Sequence, residues 1–187
     1  MLASYASRWK QLLKMERDQK DTFLSRYPNS PLPLEDCTGF KGLDYYPPNQ
    51  DYRFELVLHT HAQKMRVTMT YTKGETKAFL RWGEFRFTIG GEEQVLQAYK
   101  SSSDDPFYFV PVRDATSGRE TYGAGRYLDL KPDLHQTDEG KWILDFNRAY
   151  NPWCDYNKEY TCPFVLPENW LDVPILAGEK KHKPHGN

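Results

Sequence analysis

The sequence has too little of several features to belong to some common classes of protein. No apolar run reaches roughly 18 residues, the length of a membrane-spanning helix, so no membrane partner is predicted. No charge dominates, because 25 Lys and Arg residues stand against 26 Asp and Glu residues. A global basic field for nucleic acid is therefore absent, and no nucleic-acid partner is predicted.

Two further absences concern the compartment. The amino terminus has no continuous apolar segment of the kind found in signal peptides, since charges interrupt it from Arg8 onward. Cysteine is scarce and odd in number (Cys37, Cys154 and Cys162), which fits a reducing environment. We therefore predict a cytoplasmic protein.

Aromatic residues, in contrast, are abundant and favour a β-rich core. The chain has 13 Tyr, 10 Phe and 5 Trp, and such side chains suit a pleated surface. From Asp51 the apolar residues alternate with a period of two, and later strands are expected at 107–113, 125–130, 141–149 and near 171–176. We predict a mainly β fold, an antiparallel, partly open β-barrel or sandwich of about seven to nine strands.

The 187 residues suffice for a single domain with four segments. Residues 2–26 repeat apolar side chains at three- and four-residue spacing, among them Tyr5, Trp9 and Leu13, which predicts a helix packed against the β body. Residues 28–50 form a proline-rich connector, residues 51–178 the β body and residues 179–187 a mobile tail.

The segment 113–126, "RDATSGRETYGAGR", is the first candidate for a site. Its glycines allow positive φ angles that turn backbone N–H groups toward a common point, as in anion-binding nests. Its arginines would add forked donors for carboxylate or phosphate. The alternative is a long hairpin whose arginines pair with its own acidic residues.

The second candidate segment is "LDFNRAYNPWCDY", residues 144–156. On a strand, Asp145 and Asn147 would share one face. A polar face inside a small barrel would line a pocket, whereas on the outside it would only face solvent.

The spacing of Cys154 and Cys162 is C-x7-C. Two thiolates are too few for a closed zinc site, which needs four ligands, so no metal site is predicted. A labile disulfide and two partly buried thiols are the other interpretations.

Three stretches together, "FVPVRDATSGRETYGAGRYLDL", "LDFNRAYNPWCDY" and "YTCPFVLPENWLDVPILAGEK", resemble the bacterial and archaeal family known as domain of unknown function 1684. The resemblance runs from Arg8-Trp9 to Lys180, nearly the whole chain. One departure is "CPFVLPEN" at 162–169, where family members read closer to "CPLPPPEN". The family brings no established activity, but its signature falls within the candidate segments, which favours one composite site.

The sequence thus leads to the hypothesis of a pocket for a small anionic or polar ligand, formed by residues 113–126 and 145–169. The predicted ligand-binding residues are Arg113, Asp114, Ser117, Arg119, Tyr122, Arg126, Asp145, Asn147, Asn151 and Glu168. In this hypothesis Arg126 neutralises the ligand, so its replacement would abolish binding and leave the fold intact.

Three alternatives stay open. The first is a hydrolase-type enzyme with Asp145 or Asp114 as base and arginines that stabilise developing negative charge. The second, by analogy of fold alone, is a flavin-binding split barrel. The third is a non-enzymatic interaction module. The sequence identifies neither a cofactor nor an oligomeric state, and it leaves open whether the protein is an enzyme.

Overall fold

The structure, a computed structural model, describes residues 2–183, with side chains described from residue 6 onward. Within that range, seven strands form two antiparallel sheets. The larger sheet contains β2 (His59–Thr70), β3 (Thr76–Ile89), β4 (Glu92–Lys100), β5 (Tyr108–Val112) and β6 (Arg126–Leu130), in chain order. The smaller pairs β1 (Arg53–Leu56) with β7 (Trp142–Asp145).

Four α-helices accompany the sheets within residues 2–183: α1 (Leu2–Arg26), α2 (Leu34–Cys37), α3 (Pro132–His135) and α4 (Trp153–Tyr156). Short 3₁₀ helices span Gln50–Tyr52, Phe146–Arg148 and Pro167–Asn169. None of these helices is both long enough and apolar enough to cross a bilayer. The predicted mainly β, antiparallel class with an N-terminal helix is confirmed, and the two sheets stay open instead of closing into a barrel.

Local sequence explains the hairpins of the larger sheet. Gly90 and Gly91 join β3 to β4 with φ angles of 61° and 87°, which only glycine adopts readily and which match the twist of a tight hairpin. The register of β3 shifts between Arg81 and Gly83, where a bulge bends the strand.

The two sheets share one hydrophobic core. Its buried side chains come from β3 to β6, from β7 and from the segment after it. Phe87 of the larger sheet lies 5.0 Å from Phe54 of β1 and 5.5 Å from Phe146, measured between ring centroids. Because both sheets contribute to the same aromatic cluster, their apolar faces are buried against each other.

The strand predicted over 141–149 is shorter than expected. It ends at Asp145, whose Oδ1 accepts hydrogen bonds from the backbone N and the side-chain Nδ2 of Asn147 at 3.0 and 2.9 Å. A local side-chain acceptor of this kind competes with strand pairing and turns the chain into the 3₁₀ helix. The two residues therefore do not alternate along one strand face.

The strand predicted near 171–176 is wrong, since those residues lie in an irregular segment. Its backbone bonds instead to the loop after β5, with Leu171 N donating to Arg113 O at 2.8 Å and Ala115 N donating to Val173 O at 3.2 Å. Pro174 has no N–H to donate to a ladder, which explains the irregular path.

The tail predicted over 179–187 begins with an anchored residue. Glu179 is 2% exposed, and its N–H donates to Ala149 O at 2.9 Å. Residues 184–187 lie outside the described residues.

Candidate functional site

In the first candidate segment, Arg126 lies in the interior. Its side chain has no exposed surface and donates to Asp114 Oδ2 at 2.9 Å. It also donates to the backbone carbonyls of Ile175 and Glu179, each at 3.1 Å, and of Ala177. The guanidinium therefore holds residues 175–179 against β6 by hydrogen bonds. It is fully buried and does not line a cavity.

Asp114 is equally committed. Besides Arg126, it accepts hydrogen bonds from the backbone N and Oγ1 of Thr116 at 2.8 and 2.6 Å, and from Ile175 N at 3.2 Å. The side chain has no exposed surface and its carboxylate accepts four hydrogen bonds from within the protein, so it presents no open face to a substrate. This geometry favours a structural role over that of a general base.

The glycine turns of the same segment use their N–H groups internally. Gly118 N donates to Thr121 O and Gly125 N donates to Tyr122 O, both at 3.0 Å. These N–H groups are thus paired within the turns in which an anion was expected to sit.

Other predicted residues have separate local partners. The Arg113 guanidinium stacks 4.6 Å from the centroid of Trp170, Ser117 Oγ accepts from Asp114 N at 3.2 Å, and Arg119 is exposed. Glu168 accepts from Tyr99 OH at 3.1 Å, and Tyr122 OH donates to Cys154 Sγ at 3.5 Å. Asn151 Nδ2 donates to Asp155 Oδ2 at 2.8 Å and to Lys180 O at 2.7 Å.

Asp145, in the second segment, anchors α1. Its Oδ2 accepts from Trp9 Nε1 at 2.8 Å and from Arg148, while its Oδ1 is taken by Asn147. Arg148 in turn binds Glu16 of α1 through Nε and Nη2, at 2.9 and 3.0 Å. With its lone pairs used in this way, Asp145 is better placed to position the helix than to remove a proton from a substrate.

A cavity of about 210 Å³ lies between α1 and the chain that follows β7; we call it the helix cavity. Asn147, one of the predicted ligand-binding residues, lines this cavity. The other polar and aromatic residues that line it include Arg17, Lys20, Tyr45, Arg148, Tyr150 and Glu179. Asp145 lines an adjoining cavity that also contains Arg148 and Tyr150. Of the residues predicted from the sequence, Asn147 lines the helix cavity and Asp145 the adjoining one, whereas Arg17, Lys20, Tyr45 and Glu179 were not predicted.

Arg17 and Tyr45 are the unusual members of the helix cavity. Arg17 donates to the carbonyls of Tyr46 at 3.1 Å and Asn147 at 3.3 Å, and its guanidinium lies 4.3 Å from the centroid of the Tyr45 ring. Its buried Nε and the buried Tyr45 hydroxyl have no hydrogen-bond partner within residues 2–183. Two residues that line one cavity thus each carry a buried donor without a partner.

The electrostatics keep both groups as donors. Burial lowers the pKa of Arg17, while Tyr45, Glu179 and Asp145 act in the opposite direction. Burial, followed by the nearby negative charge of Glu179, raises the pKa of Tyr45 well above its ordinary value. The phenol therefore keeps its proton at neutral pH, and Arg17 is ionised because a guanidinium does not deprotonate in proteins.

Glu179, the carboxylate of the helix cavity, is already occupied. Oε1 binds Lys20 Nζ, and Oε2 accepts from Tyr156 OH at 2.6 Å and from Asn151 N at 2.8 Å. The Lys20 ammonium also lies 5.2 Å from the centroid of the Tyr150 ring. No carboxylate of the described chain forms an ion pair with Arg17.

A larger groove of about 390 Å³ shares the Glu16–Arg148 pair with the helix cavity. Trp9, Leu12 and Leu134 make part of it apolar. His135 also lines it, and its Nδ1 accepts from Lys131 N at 3.0 Å. Burial and the charge of Arg148 lower the pKa of His135, so the ring is neutral at pH 7 with its proton on Nε2.

Fold and site together define a mainly β protein of two open sheets in which an N-terminal helix covers a cavity lined by three cationic and two anionic side chains. The chain belongs to the family described as Protein of unknown function (DUF1684), whose model matches residues 38–180. The family resemblance seen in the sequence is thereby confirmed. The matched region begins after α1, the helix that supplies Arg17 and Lys20.

Among solved structures, the chain is similar to an uncharacterised protein of Haloarcula marismortui determined by solution NMR. The two are 35% identical with a TM-score of 0.72, and the match covers 95% of this chain and 97% of that chain. No curated protein matches the sequence. The family and the neighbour establish the fold, and neither description states an activity.

Proposed function

We propose that the protein binds a small anion, a carboxylate or a phosphate, in the helix cavity. The observation that supports this function is the pair of orphaned buried donors, Arg17 Nε and Tyr45 Oη, on residues that line a cavity in which Arg17 has no carboxylate partner. The proposal keeps the ligand class expected from the sequence and moves most of its recognition to α1.

Energetics favour an acceptor at this place. A buried donor without a partner costs about 1–3 kcal/mol, and hydrogen bonds between charged groups are roughly twice as strong as neutral ones. An anion that accepts from Arg17 Nε and from Tyr45 Oη would relieve both donors at once. It would also balance a guanidinium whose partners here are two carbonyls and a ring.

The cavity volume limits the ligand to a small metabolite. About 210 Å³ corresponds to roughly seven water molecules at about 30 Å³ each. Pockets for drug-sized ligands start at about 300 Å³. We therefore expect a short carboxylate or a phosphate, with room to extend only past the Glu16–Arg148 pair.

The alternatives gain less support. A hydrolase using Asp145 or Asp114 would need a carboxylate with free lone pairs, whereas both accept several hydrogen bonds. The flavin-binding and interaction-module readings stay predictions, as do the absence of a nucleic-acid partner and the cytoplasmic location. Three unpaired thiols agree with such a location.

The test is a thermal-shift measurement with acetate, succinate, inorganic phosphate and glycerol phosphate. At about 100 times its Kd, a ligand stabilises the folded state by about 2.7 kcal/mol, which raises the Tm of a chain of this size by about 5–10 °C. Tyr45→Phe should reduce that shift and leave the unliganded Tm unchanged or higher, since it removes an unsatisfied hydroxyl.

Tyr108→Phe is the matched control, because it deletes the same atom from the larger sheet. Arg17→Met should abolish the shift altogether. If none of the four anions raises the Tm, or if Tyr45→Phe and Tyr108→Phe respond equally to an anion that does, the proposed function fails.

A further inference from the structure

A second cluster of reactive groups surrounds Cys154 and Cys162, apart from the helix cavity. Cys154 lies on α4, and Cys162 is held beside β2 by two backbone contacts to Thr72. Cys162 N donates to Thr72 Oγ1 at 3.2 Å, and Thr72 N donates to Cys162 O at 3.0 Å. The backbone of Cys162 is thereby fixed relative to the rest of the chain.

The two cysteines contact each other directly. Cys154 N donates to Cys162 Sγ at 3.4 Å, and the two side chains are close enough for the Cys162 thiol to affect the acidity of Cys154. The hydroxyl of Tyr122 donates to the Cys154 sulfur from another direction, at 3.5 Å. The two cysteines are thus neighbours, and the Cys154 sulfur accepts a hydrogen bond from a phenol.

Access to the two sulfurs is unequal. Cys154 is half-buried, whereas Cys162 is 6% exposed. Cys154 is thus the more accessible residue of the pair, and Cys162 lies next to it behind the surface. This is the arrangement of an attacking thiolate and a resolving thiol.

The hydrogen bonds also separate the two thiols in acidity. The bond from Cys162, supported by the one from Tyr122, lowers the pKa of Cys154 to about 7 against the opposing effect of burial. The same bond raises the pKa of Cys162 well above its ordinary value. At pH 7 about half of Cys154 is thiolate, against roughly 3% of a thiol with a pKa near 8.5.

We propose that Cys154 and Cys162 form a peroxide-reactive dithiol site that closes to a reversible disulfide. The Cys154 thiolate attacks one oxygen of hydrogen peroxide, the O–O bond breaks, and hydroxide leaves and is protonated to water. Cys154 is then a sulfenic acid. The Cys162 sulfur loses its proton and attacks the Cys154 sulfur, an S–S bond forms, and the hydroxyl leaves as a second water.

The remaining cysteine provides an internal control. Cys37 is the last residue of α2, and its sulfur hydrogen-bonds to the carbonyls of Leu24 and Leu32 at 3.7 and 4.0 Å. These partners are backbone carbonyls, with neither a second cysteine nor a phenol among them. The reaction therefore requires Cys154 and Cys162 and does not require Cys37.

The experiment treats the reduced full-length chain with one equivalent of hydrogen peroxide at pH 7 and follows its intact mass. The wild type and Cys37→Ser should each lose the mass of two hydrogens and yield one peptide pair linked between 154 and 162. Cys154→Ser should show neither change. Cys162→Ser should stop at a sulfenic acid on Cys154, which dimedone traps.

Tyr122 acts here as a positioning residue, and its test is a pH profile. The alkylation rate of Cys154 by iodoacetamide should have its midpoint near pH 7 in the wild type and move upward in Tyr122→Phe. Wild-type protein that keeps its mass under peroxide would overturn the proposal. So would a disulfide that includes Cys37, or a Cys154→Ser variant oxidised at the wild-type rate.

Discussion

Replacement of Arg126 by methionine should damage the fold severely. The guanidinium is fully buried, and its removal leaves the carboxylate of Asp114 buried without its cation. It also leaves the carbonyls of Ile175, Ala177 and Glu179 without their shared donor. Loss of one partner of a buried ion pair costs about 3–5 kcal/mol, which lowers the Tm of a chain of this size by about 6–20 °C.

The assay is urea unfolding followed by circular dichroism, supported by thermal unfolding. Arg86→Met is the matched control, because Arg86 is 57% exposed and pairs with Glu84 at the surface. A surface pair of that kind contributes about 0–1 kcal/mol. The double variant Arg126→Met with Asp114→Asn should recover part of the loss, since it removes both buried charges. If Arg126→Met and Arg86→Met lower stability equally, the structural role assigned to Arg126 is wrong.

Two further predictions concern stability. Gly178 has a φ of 79°, and a Cβ there would lie 2.6 Å from the carbonyl oxygens of Phe146 and Ala149. Gly178→Ala should therefore lower the free energy of unfolding, measured in urea, by about 2 kcal/mol or more. Gly74→Ala, with no atom within 4 Å of its Cβ, should cost clearly less, and equal losses would contradict the packing argument. Burial raises the pKa of Asp155 from 3.8 to about 6, so the folded state keeps this proton up to a higher pH than the unfolded state does. The free energy of unfolding that Asp155 contributes is therefore lost as pH rises from about 4 to 6. Urea unfolding of Asp155→Asn should lack this loss. If the free energy of unfolding changes with pH in parallel in the two proteins, the prediction is wrong.

The fold was largely predictable because its signals are local. The period of two predicts β5 and β6 to within a residue or two, since each strand alternates against the same core. The strand predicted over 141–149 is too long because the Asp145 side chain accepts a hydrogen bond from Asn147 N and ends the strand there. The spacing of apolar residues does not indicate such a bond. The open edges of the two sheets depend on contacts between distant segments, which no local pattern shows.

Few residues of the proposed cavity could be expected from the sequence. Asn147 and Asp145 stand out as polar residues at the end of a strand; Asn147 lines the helix cavity and Asp145 the adjoining one. Arg17 and Lys20 carry a signal that was available: they continue the helical face of Trp9 at three- and four-residue steps, so they face the body. Tyr45 and Glu179 carry no such signal, because only the fold brings residues so far apart in sequence into one cavity.

The segment 113–126 shows why a polar cluster is ambiguous in a sequence. Arginine, aspartate and glycine in close spacing fit an anion site and fit equally a buried ion pair that fastens backbone. Arg126 and Asp114 form the second arrangement in this structure. Burial distinguishes the two, and burial of a charged pair is a tertiary property.

The most direct test of the anion cavity is a nuclear magnetic resonance titration that follows the arginine Nε–H signals while phosphate or succinate is added. We expect the Arg17 signal to move and saturate, because its orphaned Nε acquires an acceptor, while the exposed Arg86 signal shows no saturation. Tyr45→Phe should weaken the affinity that the Arg17 signal reports. An Arg17 signal that stays in place with both anions, or that follows Arg86 throughout, would contradict the proposed cavity.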